Sequence, residues 1–144
     1  MGIFQMAEAA FWLKIILCIF CGVIIGFERH LHNKPIDIRT SVLICLGTMT
    51  FIYLGDQLDS VKDSTRVLGQ VVTGIGFLGA GAIFNREGLV VGLTSASVVW
   101  VLAAVGAAIG LDRYDIGISI SIVTVVILTG LQWFENMALK RAKK

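Results

Sequence analysis

Charge is scarce in this chain. Twelve lysines and arginines and ten aspartates and glutamates make up 15% of 144 residues, against a hydrophobic content of 56% and a mean hydropathy of +0.85. Soluble domains carry roughly 25% charged residues, because a small globule must cover a large surface with polar groups. This composition excludes a soluble fold, whereas lipid removes the need for such a surface. Proline is nearly absent, with Pro35 the single copy. Helices in hydrocarbon must keep their backbone hydrogen bonds, and a chain without interior prolines can do so. Long polar stretches are missing as well. No soluble region is large enough for an enzyme active site, so neither enzymatic activity nor a cofactor is expected, and nucleic acid is not an expected partner.

Cysteine is also sparse. Cys18, Cys21 and Cys45 all fall within apolar runs. The Cys18-x-x-Cys21 spacing imitates a redox or zinc pair, but no second pair or histidine cluster accompanies it. Buried packing thiols are the expectation. The N-terminus has no basic segment before its apolar run, and that run ends at Glu28-Arg29 without a small-residue cleavage site. It is read as a retained first span, not a signal peptide.

Crossing hydrocarbon takes about 20 largely apolar residues at 1.5 Å each. Five runs approach that length, at roughly 10–27, 40–55, 67–84, 93–111 and 116–134, the second being the shortest. The expected architecture is an all-α membrane protein, residues 1–144 forming one compact bundle of about five transmembrane helices. Lysine and arginine set the orientation. With five spans, eight loop and tail cations gather on one side and three on the other. The richer side should be cytoplasmic, leaving the N-terminus outside and the C-terminus inside. Lys14 lies within a turn of the outer end of the first span. Snorkelling to the interface is the expectation, with a partnered intramembrane lysine as the alternative.

What the chain has in abundance is glycine, with 16 copies. Helices in lipid gain little from burying apolar area, so small residues that permit close approach carry much of the packing. In the third run Gly69, Thr73, Gly76 and Ala80 form one narrow stripe, with Gly74 and Gly81 beside it; Val71, Ile75, Leu78 and Ala82 lie opposite. A helix with this much small surface should sit centrally, with Gly74, Gly76, Gly79 and Gly81 packing the middle of the bundle. A broken helix lining a polar cavity is the other reading. The fourth run has Gly106 and Gly110, the first has Gly22 and Gly26, and the fifth is rich in isoleucine and valine, as a lipid-facing helix would be. Gly74-x-Gly76-x-x-Gly79 satisfies a dinucleotide-binding pattern, but it lies inside an apolar run with no preceding strand. That match is rejected.

The segment between the first two spans concentrates charge. Glu28, Arg29 and Arg39 are expected to form a cytoplasmic ion cluster, with Lys34 nearby; Asp63, Arg66 and Gln70 form an outer one. These residues also carry a resemblance. Gly26-x-Glu28-Arg29-x4-Lys34, Arg39-Thr40, Asp63-x-x-Arg66, the string from Gln70 to Gly81, Gly92-Leu93-Thr94-x-Ala96, Trp100, Ala104-x-Gly106-x3-Gly110 and Tyr114 resemble the MgtC/SapB family of bacterial membrane proteins. The likeness covers nearly the whole chain. It departs at Ile36-Asp37-Ile38, where the family more often has a small, glycine-containing segment. The chain also stops soon after the fifth span, without the soluble C-terminal domain of several members.

The resemblance implies a multi-pass protein of the bacterial inner membrane, associated with growth in low magnesium and, in pathogens, with persistence in host cells. Members are often labelled magnesium transport proteins, while better-studied ones look like regulators that bind other membrane proteins, the ATP synthase among them. Two functions follow as expectations. One is a helix-bundle regulator whose partners are the bilayer and other membrane proteins or further copies of itself. The other is a small oligomeric transporter or channel with magnesium as its ion. Asp56, Asp59 and Asp63 in the outer loop are candidates to attract that ion, although a solvated acidic loop is the plainer reading. His30 and His32 belong to no evident catalytic constellation.

Overall fold

The computed structural model describes residues 2–58, 64–86 and 88–142. The apolar runs fold as helices, the one backbone solution besides a closed barrel that satisfies every peptide group in lipid. They are α1 (Gly2–Leu31), α2 (Ile38–Leu58), α3 (Ser64–Gly81), α4 (Leu93–Gly110) and α5 (Tyr114–Ala142). A short antiparallel hairpin, β1 (Phe84–Arg86) and β2 (Leu89–Val91), joins α3 to α4. Local chemistry sets several boundaries. Beyond α1, Asn33 adopts φ 51 and the Asn33 and Lys34 amides return to His30 and Arg29, after which Pro35 cannot continue the helix. The unusual Ile36-Asp37-Ile38 turn is explained by capping: the Asp37 carboxylate accepts from the amide and hydroxyl of Thr40 at 3.0 and 2.9 Å. Gly92, at φ 93, starts α4 so close to the Ala82 carbonyl that no side chain fits there.

Among the described residues, four helices are long and apolar enough to cross a membrane: Glu8–Leu31, Ile38–Gln57, Leu93–Gly110 and Tyr114–Phe134. The second, expected to be the shortest, extends over 21 residues. α3 falls outside this set, with Arg66, Gln70 and five glycines among its 18 residues. It also ends at Gly81 instead of running to Phe84, which belongs to β1. Even so, α3 traverses the bundle. Val67 near its start lies against Gly55 of α2, while Gly79 and Ala82 at its other end lie against Ala96 and Gly92.

Large apolar side chains point outward, among them Trp12, Ile16, Phe20 and Phe27 of α1 and Val123, Val126 and Ile127 of α5. Such a belt is costly in water and at home in lipid. Small and hydroxyl side chains fill much of the interior. Cys18, Cys21 and Cys45 are buried and free, and Ser41, Ser121 and Thr124 donate to carbonyls one turn back. Helices meet where glycine removes the side chain. A methyl group at Gly22 would lie 2.7 Å from Val42 Cα, and one at Gly26 2.6 Å from Ile38 Cα, so α1 rests on the backbone of α2. At Gly106 a methyl would come within 2.4 Å of the Cys45 carbonyl, and at Gly110 within 2.9 Å of Ile52. α4 is thus the central helix, with Val99, Leu102, Val105 and Ile109 fully enclosed.

Lys14 does not snorkel. It is 2% exposed, and its Nζ reaches the Gly110 carbonyl at 2.8 Å, the Ile109 carbonyl at 3.3 Å and the Asp112 carboxylate at 2.7 Å. It also lies 5.7 and 5.8 Å from the centres of the Tyr53 and Tyr114 rings. The physical reason is the C-terminus of α4, whose last carbonyls have no intrahelical donor and attract a cation. Burial pushes the Asp112 carboxyl upward, but hydrogen bonds from Lys14 and Tyr114 prevail and hold it below its ordinary value.

Two predictions follow from this packing. Gly106→Ala should lower the unfolding midpoint in detergent, whereas Gly74→Ala, with nothing within 4 Å of the new methyl, should hold or raise it through a helix-propensity gain of up to about 1 kcal/mol. Equal losses would place α3 inside the bundle. A double-mutant cycle of Lys14→Met and Asp112→Asn, read by the same unfolding, should give a coupling on the order of 1–3 kcal/mol; strict additivity would mean the contact is not made.

Candidate functional site

The last turn of α1 carries a buried ion pair. Glu28 and Arg29 are 4% and 2% exposed. Arg29 engages the carboxylate with both Nε and Nη2, the latter 2.7 Å from Oε1. His32, one turn on, sets Nδ1 3.1 Å from Glu28 Oε1 and 2.8 Å from the Glu28 carbonyl. A bidentate guanidinium–carboxylate pair holds its geometry well, and separating it would strand a charge in a dry setting. Arg39, expected to join this cluster, stands apart: it is exposed on the first turn of α2, where its charge acts on Asp37. Hydrogen bonds from Thr40 hold the Asp37 carboxyl below its ordinary value. His32 takes the place expected for Arg39. Its four-residue spacing from Glu28 was the available signal. Lys34 sits just beyond the helix and lines a cavity together with Arg29.

Of the expected outer group, Asp63 lies outside the described residues, as does Asp59. Arg66 and Gln70 are exposed on the first half of α3. Among the described residues, no three or more His, Cys, Asp or Glu side chains gather where they could share a metal ion.

The glycine face of α3 is where the structure departs most from expectation. Gly69, Gly74, Gly76 and Gly81 have nothing within 4 Å of an added methyl; Gly79 alone makes ordinary contact, 3.6 Å from the Ala96 carbonyl and from Trp100. These glycines do not pack the centre. The helix is rotated the other way, with Ile75 and Ala82 from the bulkier side buried and Gly69, Thr73 and Ala80 turned outward. The reason lies in α4, whose own small seam already occupies the middle and leaves α3 at the edge. Ile75 joins the core there, a role a glycine could not fill.

Beside the outward face runs an open trough of about 630 Å3 between α2 and α3. Leu43, Gly47 and Phe51 form one wall; Gln70, Gly74 and Leu78 form the other. Gly47 is also open, with nothing within 4 Å. A second recess of about 480 Å3 lies on the far flank of α3, where Gly76 and Ala80 face Ala96 and Trp100. Phe77 projects between the two flanks, 82% exposed. Surfaces of this kind, apolar and stripped of side chains, let a further helix approach to backbone distance.

The chain was compared with known proteins. A model of the MgtC family matches residues 15–137. The putative magnesium transporter YhiD of Escherichia coli K12 is 42% identical over 129 residues, covering 83% of this chain and 60% of that protein. Protein MgtC of Brucella abortus is 42% identical over 89 residues, covering 62% of this chain and 37% of that protein. Protein SrpB of Synechococcus elongatus is 29% identical over 139 residues, covering 87% and 76%. The chain therefore spans 60% or less of the length of the YhiD and MgtC proteins it matches. No solved structure matches it. With its apolar helical bundle and a family match over nearly its whole length, this chain belongs to the MgtC family and is a multi-pass protein of the bacterial inner membrane.

Proposed function

We propose that the protein serves magnesium homeostasis as a regulator, by holding a helix of another membrane protein in the trough between α2 and α3. The observation that carries this reading is the open glycine face. Each glycine within a helix costs about 1 kcal/mol relative to alanine, and Gly69, Gly74, Gly76 and Gly81 recover none of it through contacts inside the bundle. An external helix would use that close-approach surface. The trough is concave, with Leu43 and Phe51 standing over one wall and Gly74 recessed in the other. Two such grooves facing each other across a two-fold axis would not fill one another, so the guest we assign is a different chain.

The link to magnesium comes from the relatives, one of which is named a putative magnesium transporter. Transport by this bundle alone is disfavoured by its packed core. Cys18, Cys21, Ile25, Met49 and Leu102 fill the space between the Lys14–Asp112 and Glu28–Arg29 ion pairs. A divalent cation on that axis would have to shed its water in a low-dielectric interior without carboxylate ligands from those side chains. In this reading residues 1–144 act as one transmembrane domain, with the N-terminus outside and the basic C-terminus in the cytoplasm.

The test combines growth with flux. In bacteria lacking their own copy, Gly74→Leu should fold normally, as judged by its unfolding midpoint, yet fail to support growth at low magnesium. Val126→Leu on the lipid face should remain active. A photo-crosslinker at Phe51 should join the wild-type protein to a different membrane protein, and Gly74→Leu should abolish that product. Magnesium flux into liposomes holding the purified protein alone, unchanged by Gly74→Leu, would overturn the proposal.

A further inference from the structure

A third cavity, of about 590 Å3, opens at the end of the bundle that carries the Glu28–Arg29 pair. Arg29, Lys34 and Arg86 bring three cations to it from α1, the following loop and the hairpin. Among the described residues, Glu28, bound to Arg29, is the acidic side chain that offsets them. The first turn of α4 contributes Thr94 and Ser95 to the wall. That turn has no side-chain cap, and the Ala96 amide is the first to find its partner, the Gly92 carbonyl at 2.9 Å. The amides of the preceding turn are donors without intrahelical partners, at the positive end of an 18-residue helix dipole.

A helix terminus alone says little; two buried side chains say more. Ser95 is 2% exposed, and its hydroxyl has no hydrogen-bond partner among the described residues. No fully enclosed side-chain nitrogen or oxygen among those residues lacks a partner, so the Ser95 hydroxyl opens on the cavity. Arg29 lines the same cavity. Its Nε and Nη2 are taken by Glu28, and the carboxylate thereby fixes the guanidinium at the cavity wall. Opposite stand Leu128 and Leu131 of α5, an apolar wall.

We infer that this cavity binds a phosphoryl group. Converging guanidinium and ammonium donors, a hydroxyl and uncapped helix amides suit a multiply charged tetrahedral oxyanion better than a monovalent ion. The apolar wall and the volume leave room for the organic part of a phosphate ester. Both a phospholipid headgroup and a soluble phosphate compound have this chemistry. The site is separate from the α2–α3 trough and does not depend on the docking proposal.

The experiment uses the full chain in nanodiscs of neutral phosphatidylcholine. One arm titrates inorganic phosphate against chloride at matched ionic strength; the other introduces phosphatidylglycerol at increasing mole fraction. Unfolding temperature and calorimetry report binding. Saturable binding of either probe is expected, and the arm in which it occurs names the source. Lys34→Gln and Arg86→Gln, both at exposed positions and so compatible with folding, should each weaken it by about tenfold, the loss of one charge-assisted hydrogen bond. Ser95→Ala should weaken it less. Gly74→Leu should leave it unchanged. Absence of saturable binding in both arms, or binding indifferent to Lys34→Gln and Arg86→Gln, would overturn the assignment.

Discussion

The contact on which the rest of the bundle depends is the seam between α2 and α4. Because Gly106 and Gly110 carry no side chain, the backbone of α4 lies directly on Cys45, Thr48, Met49 and Ile52. In lipid, apolar burial supplies little attraction between helices, so approach distance and the dispersion contacts it allows decide which helices pair. Once α4 is fixed there, its remaining faces are assigned. Gly117 of α5 closes on Ile109, and the end of α4 receives Lys14 from α1. α3 is left with the flank near Ala96 and Trp100 and, at its other end, the contact of Val67 with Gly55. The edge position of α3 follows from where the centre was already taken.

The polar interior obeys the same economy. A lysine and an arginine are each nearly enclosed, and each is neutralised locally: Lys14 by helix-end carbonyls and Asp112, Arg29 by Glu28. The partners differ in exposure, which sets how firmly each cation is held. The Asp112 side chain is 67% exposed and shares its charge with water, whereas that of Glu28 is 5% exposed. Arg29 is accordingly the more rigidly placed of the two. It is also the one that lines a cavity.

Much of this was legible in the residues. Each apolar run lies on one of the five helices, although α1 and α5 extend about eight residues past their runs, to Gly2 and Ala142. Gly22, Gly26, Gly106 and Gly110, singled out by small-residue spacing, lie against neighbouring helices. The same reasoning misplaced Gly69, Gly74, Gly76 and Gly81, for a definable reason. Periodicity tells which residues share a face; it does not tell whether that face turns toward the bundle or away, since both choices look alike when lipid and protein interior are equally apolar. Lys14 was misjudged because its partners, Ile109, Gly110 and Asp112, lie more than ninety residues away in sequence. Nothing local distinguishes a lysine that snorkels from one that caps a distant helix. Nothing in the sequence singles out Ser95; only the fold brings it, buried, to the wall of a cavity.

α3 joins the two regions argued to bind something. Its outward face forms one wall of the trough, and its C-terminal end leads through Ala82 into the hairpin that carries Arg86 to the basic cavity. It contacts the bundle through Val67 against Gly55 at one end and Gly79 against Ala96 and Trp100 at the other, and its remaining glycines are open. A helix so held is displaced at less cost than its neighbours. A guest in the trough that tilted α3 would move Arg86 relative to Arg29, which its carboxylate anchors, and so would alter the donor set on one side only. Coupling between two sites requires an element that both ligands bias, and within this fold α3 with its hairpin is the element that touches both.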